Sequence, residues 1–156
     1  MKKIIPILVL SLFLLQPAGM AYGAESPECL HIKNLFVDNA KQVDNVCKVE
    51  ISRKNLNVSL EGEKVSPEML ELAFGANFER VGNTSVVTGE FALFPKEVNP
   101  VIDAFRKGDI EISALHNHWF EQPEVLYLHF QGSGDPKSLA ETVKSAIDAA
   151  TQQSAS

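Results

Sequence analysis

An α+β fold is predicted: one layered domain, mostly antiparallel sheet with three helices, in the order ββ-α-β-α-ββ-α. Three observations predict it. Several runs alternate apolar and polar residues with the period of a half-buried strand. Three polar residues each precede a proline at the head of an apolar pattern of helical spacing, the arrangement of an N-cap followed by Pro at the first helical position. The chain is 156 residues long, 45% apolar and 22% charged, the composition and size of a single globular unit.

Taken in order, the first 23 residues are expected to be a signal peptide. Lys2 and Lys3 form a positive start, residues 4–15 are apolar apart from Pro6 and Ser11, and Ala21-Tyr22-Gly23 offers small residues for cleavage before Ala24. The apolar run is shorter than the ~20 residues a spanning helix needs, so no stable membrane anchor is expected after cleavage. Removing this leader takes the formal charge from −6 to −8. Residues 24–45 read as an N-terminal extension, 46–150 as the folded domain and 151–156 as a polar tail. Export places Cys29 and Cys47 in an oxidising compartment, where two thiols are expected to pair. Their loop would contribute ~3 kcal/mol in the chain-entropy account of disulfides.

Within the domain, residues 46–52 alternate Val46, Lys48 and Glu50 against Cys47, Val49 and Ile51, and Leu56, Val58 and Leu60 repeat the pattern. Ser66-Pro67 predicts a helix over 68–74 that stops at Gly75. Asn99-Pro100 predicts a second, with Val101, Ile102 and Phe105 on its apolar face and Gly108 at its end. Asp135-Pro136 predicts a third, carrying Leu139, Val143, Ala146, Ile147 and Ala150. Strands are expected over 84–93, 109–119 and 125–131. Gly132-Ser133-Gly134 reads as a turn into the last helix.

The acidic balance excludes nucleic acid and anionic lipid as principal partners, since both require clustered Lys and Arg. A small-molecule ligand is the expected partner; the sequence sets no oligomeric state. The tripeptide His116-Asn117-His118 spells the name of a nuclease motif, but the chain carries the wrong charge for DNA.

Three of the four histidines fall in the hairpin of residues 109–131. His116 and His118 are two apart and so share one face of a strand. With a four-residue loop at 121–124, Phe120 pairs with Val125, His116 with His129 and His118 with Tyr127. Directly opposed residues have Cβ atoms about 5 Å apart, so three imidazoles converge, while Ser113 faces away. A slip of one residue would send His129 to the apolar face. Three imidazoles suit a divalent transition metal, zinc foremost, and leave open the positions a catalytic ion uses. Glu90 and Glu121 are the candidate acidic groups, as a fourth ligand or for proton transfer. Glu90 is preferred because Gly89 allows close backbone approach.

Asn99-Pro100-Val101 after Glu97-Val98, the run from Asp109 to His118, Tyr127-Leu128-His129-Phe130 and Gly132-Ser133-Gly134-Asp135 together resemble the LppY/LpqO family of exported bacterial proteins. The likeness spans about Cys47 to Ile147. It implies an exported protein and supplies no reaction. The chain has Gly89-Glu90 where that family usually has Gly-Asp, which keeps a carboxylate. It has Ser52-Arg53-Lys54-Asn55 where the family usually has Pro-Arg-x-Asp, which removes one, so Asn55 is given no catalytic role. The His-x-His-x10-His spacing is also similar to that of the zinc histidines in α-acetolactate decarboxylases. That likeness implies Lewis-acid chemistry on a carbonyl or carboxylate of a small substrate.

Two classes of function follow. One is a secreted or periplasmic metal-dependent lyase or hydrolase using His116, His118 and His129 with Glu90. The other is a non-catalytic extracytoplasmic module that binds a ligand or partner, with no metal or a structural one.

Overall fold

In a computed structural model, residues 25–119 and 123–154 are described. The expected signal peptide and Glu121 lie outside them. Eight strands and three helices follow in the order α1 (Pro27–Phe36), β1 (Ala40–Val43), β2 (Val46–Ser52), β3 (Ser59–Leu60), β4 (Glu63–Lys64), β5 (Ala73–Val81), β6 (Thr84–Leu93), α2 (Pro95–Lys107), β7 (Glu111–Asn117), β8 (Leu126–Gly134) and α3 (Pro136–Ser154). Six strands form one antiparallel sheet in the order β1-β2-β5-β6-β8-β7, and β3 and β4 make a separate small hairpin. The α+β prediction holds.

Alternation along each strand gives the sheet two unlike faces. Cys47 and Val49 of β2, Phe74, Ala76 and Phe78 of β5, Val87, Phe91 and Leu93 of β6, and Leu128 and Phe130 of β8 are buried with the helices in the main core. The rings of Phe91, Phe105 and Phe130 pack together there, the last two stacked at 4.3 Å. Gly89 makes this possible. A Cβ at that position would lie 2.2 Å from the Phe130 ring, so any side chain would displace the aromatic cluster.

The opposite face carries Lys48, Glu50, Asn77, Thr88, Glu90, His129 and Gln131. One end of it is roofed by residues 53–72, whose Leu56, Val58, Leu70 and Leu72 bury Ala92, Val125 and Tyr127 in a second core. Between the two cores, Arg53 is 4% exposed and forms a two-pronged ion pair with fully buried Glu97, Nη1 and Nη2 at 2.9 and 2.8 Å from its oxygens. Arg53 also donates to the Ala92 carbonyl and to Asn55 Oδ1, and its guanidinium lies over the Phe74 ring. Asn55 thus serves as a hydrogen-bond acceptor for Arg53.

Several local expectations are corrected. Ser66 caps as predicted, accepting from Met69 N–H, but only a 3-10 turn over Pro67–Leu70 follows. Residue 73 onward is strand β5, paired along both sides, because Phe74, Ala76 and Phe78 bury at period two. The second helix begins at Pro95 rather than at Pro100: the Glu97 carboxylate accepts the Phe94 N–H at 2.9 Å and supplies the cap one turn early. Gly132-Ser133-Gly134 continues β8 against β6 instead of turning. Asp135 does cap α3, accepting from Ser138 N–H and Oγ, and these hydrogen bonds hold its carboxyl below the usual carboxylate range. The N-terminal region contains α1, tied to β2 by the Cys29–Cys47 disulfide, with Cα atoms 5.3 Å apart.

Candidate metal centre

Glu90 projects from β6, a central strand, and pairs directly with His129 of β8. Both point to the face away from the helices. His129 Nε2 is 2.9 Å from Glu90 Oε2 and 3.0 Å from His116 Nε2. His116 arrives from β7, the edge strand. The three potential ligand atoms all lie within 4.8 Å of one another.

The alignment behind this differs from the one expected. His116 lies opposite Tyr127, and His129 lies opposite Ala114. The hairpin connection is longer than four residues, since β7 ends at Asn117 and β8 starts at Leu126. The offset is two residues, and an even shift preserves the face, so His116 and His129 meet as diagonal neighbours. A second irregularity is a β-bulge at Ser113. Before it, Glu111 pairs with Gln131 and Ile112 with Phe130; after it, Ala114 pairs with His129 and Leu115 with Leu128. The bulge absorbs one residue, so strict alternation fails across it. Ser113, expected to face away from the histidines, lines the groove beside His129 instead.

His118 lies outside the cluster. Its backbone N–H donates to the Val125 carbonyl, and its ring packs on Tyr127 at 4.6 Å and on Trp119 at 5.5 Å. Tyr127 is therefore flanked by two imidazoles, with His116 parallel to it at 5.9 Å. Its hydroxyl donates to the Leu70 carbonyl at 2.5 Å. Burial, then the negative charges of Glu90 and Glu71, push this phenol up to about 12. It stays a neutral hydrogen-bond donor and a shelf for the rings.

Chemically, the cluster brings three lone-pair donors together with too few protons to pair them. A neutral imidazole has one N–H, and a proton on His129 Nε2 cannot lie along the lines to Glu90 and His116 at once. A cation between the three would satisfy all of them. Two nitrogens bound to a tetrahedral zinc at ~2.05 Å are about 3.3 Å apart, close to the 3.0 Å found here. His116 Nδ1 is 3.2 Å from the Asn117 carbonyl, the kind of backbone partner that fixes which nitrogen of a ligating histidine faces the ion. The residues present fit a divalent metal through two imidazoles and one carboxylate.

Beside the cluster, on the open face of β2, β5, β6 and β8, runs a groove of about 650 Å³. Gly75 lies between Glu50 and Glu90 in register and leaves its floor low. The turn carrying Glu68, Glu71 and Leu72 makes one wall. The residues of β5 were not anticipated here; the alternation of Gly75, Asn77 and Glu79 against Phe74, Ala76 and Phe78 is the signal that exposes them.

Residues 31–149 match the family described as Domain of Unknown Function (DUF1259). The chain belongs to this family. No curated protein and no solved structure matches the chain. The DUF1259 region holds β2, β6, β7 and β8 whole, and with them all three residues of the cluster.

Proposed function

We propose that this DUF1259 domain is an exported site for a divalent transition metal, zinc foremost, held by Glu90, His116 and His129 with at least one position open toward the groove. The observation that carries the reading is the convergence of one potential ligand atom from each residue, His129 Nε2 about 3 Å from both His116 Nε2 and Glu90 Oε2 and all three within 4.8 Å. A disulfide suits an oxidising compartment, and the resemblance to the LppY/LpqO family supports export. When bound, the ion supplies Lewis acidity toward a carbonyl oxygen of a small substrate. Glu90 has a second carboxylate oxygen, a proton acceptor beside the substrate position. His118 remains a candidate fourth donor, following His116 by two residues on the same side of the hairpin, and Glu121 a second candidate for proton transfer.

One observation favours the non-catalytic alternative. The Glu90 and His129 side chains are 31% and 35% exposed, and His116 is exposed too, so little keeps water from the site.

Elemental analysis of tag-free protein tests the reading. One equivalent of zinc or a neighbouring transition metal is expected, lost in His116→Ala and His129→Ala and weakened at least 10-fold in Glu90→Gln, with thermal unfolding otherwise intact. Absence of metal after incubation with each candidate ion sinks it. Unfolding of every variant together with metal loss points to a structural ion.

A further inference from the structure

The groove beside the cluster has a lining more informative than its size. Lys48, Asn77, Thr88 and Gln131 form one row across four neighbouring strands, each paired with the next. Strands lie ~4.8 Å apart, so hydrogen-bonding side chains recur along the groove at a spacing close to the width of one pyranose ring. The side chains of Lys48, Glu50, Asn77, Thr88 and Ser113 make no hydrogen bond or ion pair among the described residues. Gln131 spends one N–H on Glu111 and keeps its amide oxygen. Amide, hydroxyl and carboxylate groups free to donate and accept together are what vicinal hydroxyls need.

Charge narrows the choice. Among the described residues, Glu50, Glu68, Glu71 and Glu90 line the groove against one lysine, Lys48, so without an ion a carboxylate or phosphate ligand meets repulsion. A bound divalent ion leaves the lining only slightly acidic, so neither a polyamine nor an anion gains much from charge.

We propose that this groove binds an uncharged, hydroxyl-rich small molecule, a sugar or polyol, with one of its oxygens reaching the open metal position. The proposal rests on the metal reading for that last contact alone; the polar row recognises the rest. At 650 Å³ the groove is within the range of small-molecule sites.

The test presents zinc-loaded and metal-free protein to an array of neutral mono- and oligosaccharides, with citrate and spermidine titrated alongside. A neutral saccharide is expected to bind, and Asn77→Ala and Thr88→Val should each weaken it at least 10-fold without changing zinc content. Binding should tighten with zinc. The proposal is overturned if no saccharide binds, if citrate or spermidine is the tighter ligand, or if both variants bind as the parent does. Zinc content, measured separately, keeps the two readings apart: a chain that takes no zinc but binds sugar loses the metal centre and keeps the groove.

Discussion

Tyr127 shows how one side chain records the electrostatics of its surroundings. Its phenol is pushed from 10.0 to about 12 by burial and by the carboxylates of Glu90 and Glu71. The folded state therefore keeps a proton that the unfolded chain loses above its ordinary value. This stabilisation is complete below pH ~10 and is lost as the pH rises toward ~12. In protein expressed from Ala24 onward, Tyr127 is the only tyrosine, so the near-ultraviolet absorbance of the phenolate reports it alone. A midpoint about 12 in native protein and about 10 in denaturant is expected; a native midpoint at the ordinary value would refute the account. Glu90, His116 and His129 could be named from the sequence because few residue types offer lone pairs to a metal. The Arg53–Glu97 pair could not: nothing along the chain says that these two charges, 44 residues apart, bury together. Paired and hydrogen-bonded, they are tolerated; losing either partner would leave a buried charge exposed to no counter-ion.

At the level of elements, legibility followed how local the deciding force was. β6 spans Thr84–Leu93 as expected, and α3 starts at Pro136 behind its Asp135 cap, because periodicity and capping are written within a few residues. β5 was missed because Ser66-Pro67 is a strong helix signal and Gly75 an ordinary helix stop. Pairing on both edges, with β2 and β6, outweighs that local preference. The hairpin alignment failed for a related reason: loop length and the bulge at Ser113 are set between strands. The bulge yields a counter-intuitive expectation. Deleting Ser113 makes β7 alternate regularly, with Ala114 still opposite His129 and His116 still opposite Tyr127. Zinc binding by that deletion variant should stay within about threefold of the parent, as read by competition with a metallochromic chelator. A folded deletion variant that binds no zinc would show that the bulge, and not simply the face of His116, shapes the site.

For the whole molecule, the sheet is backed by three helices on one side and half roofed by residues 53–72 on the other. The cluster sits where that roof stops. The disulfide belongs at this scale, because it fastens α1 to β2 and α1 packs on α3. Replacing Cys29 and Cys47 together by alanine should cost about 3 kcal/mol in the chain-entropy account of an 18-residue loop, measured by denaturant unfolding. Metal content should be unchanged, since Glu90, His116 and His129 lie on β6, β7 and β8. Equal stability with and without the bridge would show that α1 is held by packing alone.

One consequence concerns how such a site can diverge. Glu90 and His129 sit on interior strands whose reverse sides are committed to the phenylalanine cluster, so neither can move without cost to the core. His116 comes from the outermost strand, bonded along one side only. Changes of length or sequence in that border segment and its connecting loop can therefore alter donor number or reach while the foundation stays put. Two anchors are inherited with the fold, and the third is free to be edited.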